Sequence, residues 1–377
     1  MKAAINEMDD GLMELNMGPQ HPSTHGVIRL VLKVDGEVVK SVIPDVGYLH
    51  RSIEKIAEQV GYIGFMPYTD RVDYLSAMHA NAGYAMAVEK LAGIEVPRRA
   101  EFLRVIVQEF NRIISHFIAI GTFAMDMGAY TPFVYLLRER ETINDILESI
   151  CGARLTYNYI WIGGVSHDLP AGFKEQATEY LDHFDKVIGE FNRLLTKNTI
   201  FINRLAGIGV ISEQEAKYYG LAGPNLRASG ISYDLRRNEP YSIYPELDFD
   251  IPVGQGWSGH KGDSFDRFYC RILEIEQSSR ILRQTLKMLP SDGEIRAKIP
   301  KVFKLQAGES VSRIESSRGS MMYYILADGT IRPVRVKIRT GSFNAMTVLE
   351  KKGTGMMISD LISFFASLDI DAPEIDR

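Results

Sequence analysis

Two histidines stand four residues apart in NMGPQHPSTHG, residues 16–26, among prolines and hydroxyls. On a helix, His21 and His25 would offer both rings to one metal ion. Pro22 biases His21 away from helical geometry, and the segment holds no Cys, Asp or Glu to complete a ligand set, so a metal site is disfavoured. A tight loop with Ser23 and Thr24 satisfying backbone groups accounts for the prolines and hydroxyls but leaves two imidazoles unexplained. A phenol with chemical potential, Tyr74, sits in TDRVDYLSAM beside Arg71 and Asp73. The local reading there is a helix start with Asp70 as cap and Asp73 in a capping arrangement. Asp126 ends a strongly apolar stretch, where a carboxylate is costly unless partnered. It either accepts hydrogen bonds from the next helix or orients an imidazole.

The elements that must carry these residues are mostly helical. GVIRLVLKVDGEVVKSVIPDVG alternates apolar and polar residues around Asp35-Gly36, a hairpin signal. Helical patterning then runs from about 50 to 155. It includes RSIEKIAEQVGYI, a long segment stopped by Gly93 and Pro97, an almost wholly apolar segment ending at Asp126, and a helix with Thr131 as N-cap and Pro132 at its first position. Gly163-Gly164 interrupts the pattern, which resumes through Phe184, Val187, Ile188, Phe191 and Leu194. Residues 220–262 have weak periodicity, the mark of a functional segment or one packed against a partner. A helix follows to Pro290, then short strands around Asp328-Gly329, a helix over about 356–366, and LDIDAPEIDR. The fold class is mainly α with small β elements at both ends. It divides as a β-hairpin region over 1–50, a helical core over 51–290, and a small β-plus-helix region over 291–377 that returns to the core.

Composition narrows the function. A net charge of -5 makes no electrostatic case for nucleic acid. The most apolar stretch, FIAIGTFAM, is far too short to span a bilayer, and the N-terminus lacks a signal-peptide core. No GxGxxG follows a strand and no Walker A sequence is present, so NADH and ATP are not expected to bind this chain. Its only cysteines, Cys151 and Cys270, cannot hold a four-thiolate cluster.

Taken in order, NMGPQHPSTHG, GYLHRSIEK, TDRVDYLSAM, AVEKLAGIEVPRRA, GTFAMDMGAYTPF, RERE, GLAGPNLRASG, DLRR and EIDR resemble the quinone-site subunits of respiratory complex I, the NADH:quinone oxidoreductases. The resemblance spans almost the whole chain. It implies the fold of the nickel–iron hydrogenase large subunit without its metal site, since that metal needs two cysteine pairs. It also implies an enzyme subunit inactive alone, in a proton-translocating complex peripheral to the cytoplasmic face of the bacterial inner membrane. His25 and Tyr74 match the residues that hydrogen-bond the two ends of the quinone, and Asp126 matches the carboxylate that partners the histidine. Arg71 and Arg51 match arginines beside a [4Fe–4S] cluster held by a neighbouring subunit. The implied partners are that subunit, the membrane subunit at the quinone entrance, and the quinone itself; no metal or cofactor is implied in this chain.

Two positions depart from the family pattern. Where many members have GARMHxxYIRxGGV, this chain has GARLTYNYIWIGGV. Thr156 replaces the histidine that couples cluster potential to pH, and Trp161 replaces an arginine, so tuning by that histidine is not implied here. Related complexes fed by ferredoxin or a deazaflavin would carry a similar subunit. A hydrogenase is opposed by the cysteine count, and a non-catalytic scaffold by the trio His25, Tyr74 and Asp126.

Overall fold

The computed structural model describes residues 4–7 (backbone), 11–20, 26–300 and 302–377. Four antiparallel strands open the chain: β1 (Ala4–Glu7), β2 (Met13–Met17), β3 (Arg29–Asp35) and β4 (Val38–Asp45), hydrogen-bonded in sequence order. The expected hairpin is β3–β4. Asp35 pairs with Val38 across Gly36-Glu37, and Gly36 takes the positive φ of 58° that this tight turn requires. Alternation puts Leu30, Leu32 and Val34 on the buried face.

The helical body follows: α1 (Ile53–Gly64), α2 (Met66–Thr69), α3 (Ala77–Ala92), α4 (Arg98–Asp126) and α5 (Tyr130–Cys151). Gly93, in the left-handed region, ends α3 as its sequence suggests. The α5 start differs from expectation, for it opens at Tyr130 with Ala129 before it, and Thr131 is not the cap. Pro132 then lies in the first turn, where no intrahelical N–H bond is lost.

A small hairpin, β5 (Ile160–Trp161) and β6 (Gly164–Val165), turns at the double glycine. The chain continues through α6 (Phe173–Phe191), α7 (Thr199–Asn203), α8 (Glu213–Tyr218), α9 (Gly223–Ala228), α10 (Leu235–Asn238) and α11 (Ser264–Met288). Near the end come β7 (Gly308–Ser316), β8 (Gly319–Ala327) and β9 (Arg335–Arg339), an antiparallel sheet in that order, then α12 (Gly341–Lys352), α13 (Ile358–Ser367) and α14 (Ala372–Asp376). About half of the residues are helical, with small sheets near both ends, which is the expected class.

The main apolar core joins α1 to α7, α11 and the β7–β9 sheet. A second core joins the N-terminal sheet to α12, α13 and the C-terminal segment, so the two ends of the chain share one interior. Much of the weakly periodic region 220–262 is buried against this chain itself. At the start of α9, Gly223 has φ 59°, and a Cβ there would fall 2.5 Å from Cα of Gly319. Only glycine permits that crossing of two backbones, and it holds α9 against the start of β8.

Candidate functional site

Tyr74 lies in the turn between α2 and α3, and the expected capping there is only half right. Asp70 follows α2 and does not cap α3. Asp73 instead closes the turn that leads into α3: its Oδ1 accepts from Leu75 N–H at 3.2 Å and Ser76 N–H at 3.0 Å, while the N-cap is Ser76, without a side-chain bond. The Asp73 carboxylate also receives Arg318 Nη1 at 2.9 and 3.0 Å, from the tight turn between β7 and β8. Ser115 of α4 donates or accepts with Ser317 at 2.8 Å and accepts from Ser76 at 3.3 Å. The Tyr74 turn is thereby tied to α4 and to the β7–β8 turn.

From Arg318 the contacts run into the chain terminus. Arg318 Nε donates to the Asp369 carbonyl at 3.2 Å and Nη2 to Asp369 Oδ1 at 3.4 Å. Asp369, Asp371, Glu374 and Asp376 are all buried, alternating with buried Leu368, Ile370, Ala372 and Ile375. Asp376 then accepts from the N–H groups of Gly47 and Leu49, both at 2.7 Å, which fixes the segment leading into Arg51 and α1. Tyr74 is half-buried among these groups. Burial, then the charge of Asp371, push its phenol well above the usual range, with Asp73 and Asp369 adding and Arg318 opposing. At neutral pH the phenol, like any tyrosine, is a neutral O–H donor, and burial makes its ionisation costlier still.

His21 and His25 lie outside the described residues. Their flanks are described: Gln20 and Val27 form an isolated antiparallel bridge. A Cβ on Gly26 would lie 3.3 Å from Cβ of Ala372, next to Asp371. Asp126 is half-buried as the last residue of α4, whose end is closed by Gly128 N–H to Met125 O at 2.9 Å and Ala129 N–H to Ala124 O at 2.8 Å. The groups acting most strongly on the Tyr74 phenol are the C-terminal carboxylates, Asp73 and Arg318, not Asp126.

Arg51 and Arg71, both exposed, meet in one cavity of about 490 Å³ that Ile53, Ile56, Pro67 and Tyr68 also line. Thr156 adopts a left-handed φ of 51°. Trp161 is covered by the Arg296 guanidinium, 5.4 Å from the ring centroid, so a cation reaches this place from another segment. Cys151 and Cys270 are both free. Among the described residues no group of three or more His, Cys, Asp or Glu is arranged to hold a metal ion. No helix of the described residues is long and apolar enough to cross a membrane.

Asp70 is fully buried beside this cavity, with Arg71 Nη1 at 3.9 Å, and neither of its oxygens makes a hydrogen bond of normal geometry. Burial pushes its carboxyl up to about 6 from an ordinary 3.8, against the pull of Asn81, the Asn158 backbone and Arg71. Because the folded state favours the protonated form, this group's contribution is fully present below about pH 4 and is lost as pH rises through about 6. Asp70→Asn is therefore expected to stabilise the protein by up to about 3 kcal/mol at about pH 8 and by little at about pH 4. Thermal unfolding of the assembled protein at the two pH values checks this, and an equal effect at both would contradict it.

Residues that sequence reading missed form a second polar core. Arg227 of α9 donates to Glu315 at 2.7 Å and to Glu274 at 2.9 Å. Arg236 of α10 donates to Asp234 at 2.7 Å and reaches Glu109 and Glu274 at 3.3 Å. Arg112 of α4 reaches Glu109 at 3.2 Å and Glu274 at 3.4 Å. All seven residues are buried. His79 and His116 border them, and burial lowers both imidazoles below the usual range. Arg227 comes from LAGPNLRASG, Arg236 from DLRR and Arg112 from the apolar run of α4, so for Arg227 and Arg112 the signal was a basic residue inside an otherwise largely apolar stretch.

This architecture, helical with a small sheet near each end and a polar interior where the termini meet, has clear relatives. Residues 126–306 and 297–377 match the family described as respiratory-chain NADH dehydrogenase, 49 Kd subunit, and the chain belongs to that family. It is 58% identical over 365 residues to a D-type subunit of NADH-quinone oxidoreductase from Anaeromyxobacter sp. (strain K), covering 97% of this chain and 96% of the relative. The D-type subunit of the NADH-quinone oxidoreductase of Chlorobium luteolum is 50% identical over 368 residues, 97% of this chain and 93% of its own. Its counterpart in Bacillus cereus (strain ATCC 14579) is 48% identical over 364 residues, 97% and 98% of the two chains.

Proposed function

We propose that this chain forms the quinone-reduction site of a proton-translocating NADH:quinone oxidoreductase, peripheral to the cytoplasmic face of the bacterial inner membrane. The observation that carries the reading is the neutral Tyr74 phenol, half-buried against the C-terminal carboxylates, with Gly26, the neighbour of His25, packed on Ala372 of the same segment. In this reading Tyr74 and His25 donate to the two quinone oxygens, and Asp126 holds the imidazole's tautomer and stabilises its charged form. Reduction takes two electrons and two protons. The electrons come from a [4Fe–4S] cluster held by a neighbouring subunit, and the donors on this chain face the oxygens where negative charge develops. Arg51 and Arg71, sharing one cavity, supply fixed positive charge toward that cluster, which favours its reduced state. A membrane subunit completes the quinone entrance. The relatives are named NADH-quinone oxidoreductases, which favours NADH over ferredoxin or a deazaflavin as the source of electrons.

His25→Ala tests the reading in the assembled complex. Quinone affinity or turnover is expected to fall, by about 10²-fold in rate if the imidazole donates in the transition state, while assembly persists. Failure of the complex to assemble would favour a purely structural role for the His25 segment.

A further inference from the structure

Among the described residues, the C-terminal segment brings more carboxyl groups to Tyr74 than there are cations to pair with them. Arg318 is taken by Asp73, through both carboxylate oxygens, and by Asp369. Arg271 of α11 is 3.7 Å from Asp369 as well. Those two arginines balance those two aspartates. Asp371 and Glu374 remain, and among the described residues neither has a basic nitrogen at salt-bridge distance. Both residues are essentially inaccessible, at 2% and 0% exposure. Asp371 Oδ2 and Glu374 Oε1 are buried with no hydrogen-bond partner. Glu374 Oε2 accepts from the Ser342 hydroxyl and from Ser342 N–H at 3.3 Å, and the same hydroxyl accepts from Asp371 N–H at 3.1 Å. An ionised carboxylate with an unsatisfied buried oxygen and no cation is strongly disfavoured, whereas the neutral acid is not.

Resting on the reading of Tyr74 as a proton donor to quinone, we propose that Asp371 and Glu374 are held as neutral carboxylic acids and form the proton store that reprotonates Tyr74. The step balances without an electron: the phenol O–H breaks as its proton passes to the substrate oxygen, the Asp371 carboxyl O–H breaks, and the phenol O–H re-forms. Asp371 is left as carboxylate. Glu374, tied through the Ser342 hydroxyl to the backbone N–H of Asp371, supplies the next proton. Once ionised, Asp371 is the charge that acts most strongly on the phenol, so its ionisation is coupled to the state of Tyr74. Burial and the neighbouring acids Asp73 and Asp369 push Asp371 well above the usual carboxylate range, against Arg318. Glu374 is pushed the same way by burial, Asp73 and Asp371. Among the described residues, the groups facing the pair are Tyr74 and Asp73 from the turn before α3, Arg318 from the β7–β8 turn, Tyr323 from β8, Asp369 from the tail and Ser342 from α12, with Arg271 of α11 behind Asp369.

The test uses the assembled complex and a short-chain quinone. Infrared difference spectra on reduction are expected to show the carbonyl stretch of a neutral carboxylic acid that shifts when aspartate and glutamate are labelled with carbon-13. Asp371→Asn is expected to remove the aspartate component and to slow quinone reduction at least tenfold or so, with an enlarged solvent isotope effect and unchanged electron transfer to an artificial acceptor. Absence of any label-sensitive acid band in the unaltered protein overturns the proposal even if the variant fails to assemble. So does wild-type quinone reduction by Asp371→Asn. If Tyr74→Phe is impaired while Asp371→Asn is not, the proton store falls and the quinone site stands; if Tyr74→Phe is unimpaired, both fall.

Discussion

Tyr74→Phe is expected to cut quinone reduction by about 10²-fold while leaving electron entry to artificial acceptors nearly unchanged. The substitution removes one oxygen and keeps the ring, so the packing of the turn is preserved. What disappears is a half-buried O–H donor whose deprotonation burial makes still more costly. A donor aimed at developing negative charge in a water-poor site is worth more than the same bond in water, which is why one hydroxyl carries so large an effect. Parallel assays of the assembled complex with a short-chain quinone and with an artificial acceptor check this. Equal losses in both assays would mark Tyr74 as structural.

Glu274→Ala is expected to cost about 3–5 kcal/mol, enough to remove most or all of a typical domain's stability and to abolish assembly. Glu274 accepts from Arg227 at 2.9 Å and lies 3.3 and 3.4 Å from Arg236 and Arg112. These arginines hold its carboxyl well below the usual range despite complete burial. Truncation leaves several guanidinium groups buried with less negative charge than they need, and nothing smaller than a carboxylate replaces it. The network is not thereby a large net source of stability, because replacing charges and partners together by apolar residues can be neutral. Its effect is specific: α4, α9, α10, α11 and β7 must close in one arrangement for the charges to match. The level of assembled subunit in the membrane fraction and its thermal unfolding measure the loss. A variant that assembles with normal stability would contradict the proposed dependence.

Local structure was largely legible. Alternation around Asp35-Gly36 marked the β3–β4 hairpin, Gly93 marked the end of α3, and the long apolar run to Asp126 marked α4. Caps were misassigned where one or two residues compete for the same N–H groups, as at Thr131 and Asp70, and β1, β2, the short helices α9 and α10 and the helix α12 were not marked at all. The proposed donors His25, Tyr74 and Asp126 entered through the ordered set of family motifs; their residue types alone left the local readings open. The acids around Tyr74 were not legible at all. LDIDAPEIDR could be a solvated tail or a buried one, and only its alternation with apolar residues hinted at the second.

By itself, then, the sequence determined the helical class with its small sheets, the positions of most elements, the lack of four cysteines for a thiolate-held metal, and membership in an ordered family of motifs. Those properties are encoded over a few neighbouring residues or in residue identity. The tertiary structure alone decided that Arg318 meets Asp73 across 245 positions, that Arg227 reaches Glu315 across 88, and that eight of the last ten residues are buried. The physical reason is desolvation. A charged residue has no local periodicity that distinguishes a wet surface from a buried pair, and its partner is chosen only when distant segments close and water is expelled.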